Sequence, residues 1–326
     1  MNREEAFNLI DKKNRTQLFT RADEKRKKQV GDTVTYVVNR NINFTTKCNI
    51  NCSFCFFSED NKKTLEVETV LGKIEESKKK YGITEVCLQG GINPELDREY
   101  YFELIERINE DFDIHIHAFS PQEIFHISDG SVEKTIQQLK KKGLDSVPGT
   151  AAEILNDEVR SQICSKKLST KQWVDLIKKA HNNGLRSTAT IMYGHVESWE
   201  DRIDHLFKIK KIQNQTNGFT EFIPLPFVNK KGKKTTSFLE DLKMLSISRI
   251  ILGDFIKNIQ ASWVKLGVKN ALESFYFGVN DFGGTLIEEN ITKKEDREKL
   301  LPEEMSRFIR KSGRIPKQRN TLYEEV

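Results

Sequence analysis

The 326-residue chain lacks any run of eighteen apolar residues, so no segment is suited to cross a bilayer as a helix and no membrane partner is expected. Its opening stretch, MNREEAFNLIDKKNR, is too charged for the apolar core of a secretory signal, and a cytoplasmic protein is expected. Charge of one sign is also scarce: 53 Lys+Arg stand against 48 Asp+Glu, a formal net charge of +5. The basic stretches Lys25 to Lys28, Lys230 to Lys234 and Arg307 to Arg319 are interrupted or bounded by acids, Gly or Pro and lack interleaved aromatic pairs. They read as solvated surface, and no nucleic-acid partner is expected. A content of 37% hydrophobic and 31% charged residues excludes collagen-like, mucin-like and wholly disordered classes. A chain of this size buries roughly 75% of the surface its unfolded form exposes, so disulfides are not needed to hold it. Cysteine is sparse as well, at five, an odd count. Three of them fall close together, which fits a metal or redox centre in a reducing compartment better than a disulfide framework.

Nucleotide fingerprints are missing too: no G-x-G-x-x-G or G-x-x-x-x-G-K-[ST] element follows any β-rich run. What is present is an alternation. Short β-rich runs occur at Val34 to Thr45, Glu85 to Gln89, Ile114 to Ala118, Leu144 to Val147, Ser187 to Tyr193, Thr220 to Pro224, Asn258 to Trp263 and Phe277 to Asp281, with helical stretches between most of them. Val67, Val70, Leu71 and Ile74 form an apolar helical stripe, and Trp173, Leu176, Ile177 and Ala180 repeat it. Ser169 and Gln172 stand at capping-box spacing before the second stripe, and Gly184 marks its stop. Eight such units predict a parallel, right-handed (β/α)8 TIM-like barrel, with an open doubly wound sheet as the alternative. Residues 1–33 are expected to be a helical extension that packs on the barrel and closes its bottom. Residues 34–310 would form the barrel, and 311–326 a basic, partly extended tail.

Cys48, Cys52 and Cys55 stand in TTKCNINCSFCFF, a C-x3-C-x2-C spacing directly after the first β-rich run. Three thiolates on one tight loop can hold three corners of a cubane 4Fe-4S cluster and leave the fourth iron open for reaction. A structural zinc demands four closed ligands, and the loop offers neither a fourth Cys nor a nearby His. Cys87, inside the apolar EVCLQ run, and Cys164, at the end of a helical segment, read as packing residues. The non-enzymatic alternative is an iron-sulfur or zinc protein of electron transfer or scaffolding, which requires four protein ligands.

With Phe54 just before the last cysteine, this loop resembles that of the radical SAM enzymes. The resemblance implies that S-adenosyl-L-methionine chelates the fourth iron, takes one electron from the cluster and yields a 5'-deoxyadenosyl radical. A closed barrel protects such a radical from water and stray side chains. It also implies cofactor-binding roles for Phe54 and for Gly90 and Gly91 in CLQGGIN, where absent side chains let backbone carbonyls approach the methionine amino group. Glu153 in PGTAAEIL and Arg160 in DEVR resemble the acid and the base that hold S-adenosylmethionine; an ion pair between them or an exposed helix face is the competing reading.

Longer segments narrow the family. NRNINFT, EVCLQGGINP, PGTAAEILNDEVRSQIC, TATIMYGHVE, FTEFIPLPF, NDFGGTLIEENI and RIPKQRNTLY, together spanning about Tyr36 to Tyr323, look like the CofH-type subunits of FO synthase. Radical enzymes of the futalosine route to menaquinone, the alternative, share versions of HVE and GGTLIEEN, and PGTAAEI, ATIMYGHVE and EFIPLPF tip the choice. The resemblance implies that L-tyrosine loses hydrogen from its amino group and breaks at Cα–Cβ. The released 4-hydroxybenzyl radical then adds to 5-amino-6-(D-ribitylamino)uracil. A CofG-type radical SAM subunit would close the ring to the deazaflavin FO of coenzyme F-420, and an electron donor is implied. Phe56, Ser165 and Asn217 depart from the family pattern without removing a ligand.

In such a barrel reactive groups gather at the C-terminal strand ends. His117, Tyr193, His195 and Glu197 are the catalytic candidates there, with Glu221, Gln260, Asn280 and Asp281 near them. Beside His195, Glu197 would orient and charge the imidazole during proton transfer. Glu288, Glu289 and Asn290 form a further polar group.

Overall fold

The first β-rich run breaks at Val38 into two strands, β1 (Thr33–Val37) and β2 (Asn39–Ile42). This computed structural model describes every residue except 53, 56, 58–62, 230, 286, 288–299 and 325, so Phe56, Glu288, Glu289 and Asn290 lie outside the described residues. From β2 a parallel sheet runs in chain order through β3 (Glu85–Leu88), β4 (His115–Ala118), β5 (Ser146–Val147), β6 (Arg186–Tyr193) and β7 (Phe219–Pro226). The next expected strand makes bridges only, Ile259 to Phe222 and Gln260 to Asp281. The one after it begins later than expected, as β8 (Asp281–Gly284), because a 3-10 turn over Ser274–Tyr276 occupies the preceding stretch. Thr285 then donates to Val37 and Ile287 bridges Arg40, which closes the ring into the expected (β/α)8 barrel.

The helix Val67–Tyr81 buries Val67, Val70, Leu71 and Ile74, the stripe read from the sequence, each such side chain stabilising the fold by roughly 1.5–3 kcal/mol. The helix Thr170–Asn182 has its capping box at Ser169 and Gln172, buries Trp173, Leu176, Ile177 and Ala180, and is followed by Gly184 at φ 77°. Among the described residues no helix is long and apolar enough to cross a membrane.

The N-terminal extension is helical and packs on the barrel as expected, its helices Arg3–Ile10 and Arg15–Val30 lying along the outer helices Trp199–Thr216 and Phe238–Leu252. The C-terminal segment departs from the expected loose tail and reaches the floor of the cavity with Arg319 and Thr321. β9 (Ile315–Gln318) runs parallel to β1, with Thr33 opposite Ile315 and Tyr36 opposite Gln318. A loose arm becomes a strand because Arg319, just beyond it, finds two buried carboxylates, Glu221 and Asp281.

Side chains alternate along each strand, so register stacks the inward ones in layers. Asn39, Glu85 and His115 share one layer; Asn41, Cys87, His117 and Ser146 share the next. A barrel of this kind ordinarily fills its interior with branched apolar side chains. Here the inward positions are small or polar, and a cavity of about 370 Å³ remains.

Candidate active site at the barrel mouth

The cysteine loop leaves β2 at its C-terminal end and is stitched to the end of β3: Gly91 N–H donates to Thr45 O at 2.9 Å and Asn49 N–H to Ile92 O at 2.9 Å. A Cβ on Gly91 would lie 2.2 Å from Lys47 O and 2.8 Å from the Cys48 Cβ; one on Gly90 would lie 2.6 Å from the Phe44 ring. The loop itself therefore demands both glycines, which also line the cavity. Gly91→Ala should displace the cysteines, so that iron retained after anaerobic reconstitution falls below about half the wild-type amount while circular dichroism is unchanged. Undiminished iron would refute that coupling.

Cys48, Cys52 and Cys55 are free thiols that all open onto the cavity, with Phe54 beside them. Burial pushes the Cys52 thiol up to about 12 and raises Cys55 as well, against the pull of the Lys167 ammonium on both. Thiols held in this way give up their protons to a metal that takes their place. Among the described residues no three His, Cys, Asp or Glu stand close enough to share one metal ion. The thiolates of a cubane bind different irons, so this donor set fits a cluster better than a single zinc.

Glu153 also lines the cavity, and its Oε1 lies 2.5 Å from the Lys167 Nζ. Burial pushes the Glu153 carboxyl up, but Lys167, by charge and hydrogen bond, and then Arg160 and His195 hold it below the ordinary carboxylate range. The Lys167 ammonium stands 5.5 Å over the Phe54 ring. Lys167 went unnoticed in the sequence, where it is one lysine of a SKKL stretch with no motif to mark it.

Arg160 is not in the cavity. Buried at 3% exposure, it donates to the carbonyls of Ala151, Ala152, Ile154 and Leu168. Two residues of that loop, Ala151 (φ 63°) and Glu153 (φ 46°), adopt left-handed backbone. Such residues cost of order 1–3 kcal/mol each unless their surroundings hold them, and Arg160 does so. Its contribution is to aim Glu153.

Three catalytic candidates also lie outside the cavity wall. Alternation along β6 turns Tyr193 outward, where its hydroxyl donates to Asp241 Oδ1 at 2.9 Å. Glu197 accepts from the His195 N–H at 2.8 Å and from Arg202 Nε at 2.7 Å, and His195 Nδ1 lies 3.0 Å from it. Burial opposes its ionisation, yet His195, the Gly194 N–H and Arg202 hold the Glu197 carboxyl down at about 2. With its charge matched inside the turn, this pair is a brace. His195 Nε2 lies 3.1 Å from the carbonyl oxygen of Met192, and Met192 itself lines the cavity.

His117, by contrast, faces the cavity from β4, with Nδ1 2.7 Å from Ser146 Oγ. Burial pushes its pKa down to about 4, so it stands there as neutral imidazole. Cys87, read as a packing residue, lines the cavity beside it. Glu123 was missed although its S-x-x-E spacing from Ser120 is visible in the sequence. Its carboxylate accepts from the Ser120 N–H at 2.7 Å and the Gly90 N–H at 2.8 Å, and burial pushes its pKa up to about 7.

The model of the Radical SAM superfamily matches residues 42–209, and that of the CofH/MqnC C-terminal region matches residues 216–326. The chain is 50% identical over 323 residues to the 5-amino-6-(D-ribitylamino)uracil--L-tyrosine 4-hydroxyphenyl transferase of Archaeoglobus fulgidus, covering 95% of this chain and 94% of the relative. A protein of the same name from Methanocaldococcus jannaschii is 46% identical over 330 residues, covering 94% and 92%. Among solved structures, methylornithine synthase (PylB) superposes with a TM-score of 0.77 at 20% identity, over 96% of this chain and 93% of that one. HydG, a maturase of the [FeFe]-hydrogenase, gives 0.77 at 15% identity over 97% and 73%. At such identities these two likenesses speak for the barrel alone.

Proposed function

The chain belongs to the Radical SAM superfamily, and from that premise we propose that it transfers the 4-hydroxybenzyl group of L-tyrosine to 5-amino-6-(D-ribitylamino)uracil. The observation that carries the reading is a single chamber running from three cysteine thiols at the mouth, past the neutral His117, to a polar floor at Glu85, Glu221 and Arg319. One space thus adjoins the site of radical generation and offers hydrogen-bonding partners for two polar substrates once water is excluded.

Cys48, Cys52 and Cys55 would hold the 4Fe-4S cluster, each giving one thiolate. Glu153 and Lys167 present opposite charges at its edge, suited to the ammonium and carboxylate of S-adenosylmethionine. Cluster and S-adenosylmethionine together supply a radical able to take hydrogen from an unactivated bond. The chain's own part is to place the substrates and keep water out: Arg160 and the His195–Glu197 pair brace the wall, and the C-terminal segment stops the floor. A CofG-type radical enzyme would take the product onward, and an external electron donor would reduce the cluster. The five free thiols suit the reducing cytoplasm.

Anaerobically reconstituted protein given S-adenosylmethionine, L-tyrosine, the ribitylaminouracil and a reductant should form 5'-deoxyadenosine and a benzylated uracil, identified by mass. Formation of 5'-deoxyadenosine that ignores tyrosine, or turnover of dehypoxanthine futalosine in its place, would overturn the reading.

A further inference from the structure

Below His117 the cavity ends on two carboxylates, Glu85 and Glu221, buried at 1% and 3% exposure. The C-terminal segment grips one oxygen of each, and Asn39 Nδ2 donates to the other oxygen of Glu85 at 3.5 Å. Thr321 N–H donates to Glu85 Oε2 at 2.8 Å. Glu221 Oε2 accepts from Arg319 Nη2 at 3.0 Å and from the Tyr323 hydroxyl at 2.7 Å. Arg319 is consumed in this task, since its Nε and Nη2 also reach Asp281 at 2.7 and 2.8 Å. It is a positioning residue. Glu221 Oε1, by contrast, has no hydrogen-bond partner among the described residues. One layer up, the Asn41 side chain, 3% exposed, lines the cavity with no such partner among the described residues.

A carboxylate oxygen and a carboxamide without partners on the wall of an enclosed space are matched by a ligand that donates to the first and both donates to and accepts from the second. Glu85 and Glu221 line the same floor and Glu85 acts on Glu221 by charge, so a third carboxylate, the acid end of an amino acid, is disfavoured there. Of the two proposed substrates, only the ribitylaminouracil is uncharged and rich in N–H and O–H groups. We infer that Glu85 and Glu221 bind the N–H and hydroxyl edge of the ribitylaminouracil, held in position for it by the C-terminal segment Arg319 to Tyr323. The inference rests on the functional reading above and assigns that reading's acceptor substrate to the floor. Tyrosine then lies nearer the mouth, where its amino group meets the radical source.

The test is calorimetric titration of the cluster-loaded, unreduced protein with ribitylaminouracil, together with KM for each substrate under turnover. Glu221→Gln, which keeps an acceptor for Arg319 and Tyr323, should weaken uracil binding and raise its KM by about tenfold or more, with KM for tyrosine within about twofold. Glu85→Gln, a second variant of unchanged size, should act in the same direction. Uracil affinity unaltered in both variants, or a tyrosine KM that rises in step, overturns the assignment while leaving the functional reading intact. Wild-type protein with no affinity for the uracil overturns both.

Discussion

Cys52→Ala is expected to yield a folded barrel that cleaves no S-adenosylmethionine. The thiol is 6% exposed and touches the core at its edge, so losing its sulfur costs about 1 kcal/mol of packing, too little to unfold a domain of this size. Its loss as a ligand is another matter. The loop offers three thiolates for the cluster it would hold, and with only two of them a second corner would be left uncovered and open to solvent. Iron and sulfide should fall to background after reconstitution, and 5'-deoxyadenosine formation by about a thousandfold or more, an effect equal to some 4 kcal/mol. Circular dichroism and urea unfolding of the cluster-free protein should stay near wild type. Retained cleavage in this variant would sink the cluster assignment; a collapsed fold would show that the loop also holds the barrel together.

The second large effect concerns Lys167. Its side chain is 16% exposed and that of its partner Glu153 12%. Lys167→Met leaves the Glu153 carboxylate facing the cavity without its cation. Breaking a buried pair on one side costs about 3–5 kcal/mol, and the partial exposure places this one near the lower figure, about 3 kcal/mol in urea unfolding of the cluster-free protein. The double variant Glu153→Gln with Lys167→Met removes both charges and should regain most of the loss. The pH dependence has a definite sign. Glu153 is held below its ordinary 4.5, so its contribution is complete above about pH 4.5 and disappears as pH falls through the lowered value. Lys167 is raised above 10.5 by Glu153 and Cys52 against the cost of burial, so its contribution is complete below about pH 10.5 and disappears as pH rises through the raised value. The coupling from the double-mutant cycle should therefore be flat from about pH 5 to pH 10 and fall on the acid side. A coupling near zero at pH 7 would mean that the pair is solvated and does no structural work.

The barrel was legible in the sequence to the extent that its rules are local. The stripe of Val67, Val70, Leu71 and Ile74 and the capping box at Ser169 and Gln172 depend on neighbours within two helical turns, and both are present as read. The cysteine loop is local too, since three ligands inside one turn of chain need no distant partner to be brought together. Strand boundaries beyond β7 slipped because a 3-10 turn and isolated bridges replace regular pairing there. Tyr193 ends β6 and His195 and Glu197 follow it, as the sequence suggests, but alternation alone does not say which face looks inward; the cavity takes Thr188, Thr190 and Met192, which turns Tyr193 outward.

By itself, then, the sequence determined the alternation of strand and helix and the presence of a three-thiol loop at the mouth. Only the tertiary structure decided who stands beside that loop and what lies beneath it. Lys167 meets Glu153 across 14 positions, and Arg319 meets Glu221 across 98. No periodicity reaches so far, because pairings of this kind are selected when a buried charge excludes every arrangement that leaves it unmatched, and that selection operates only once the barrel has closed around it.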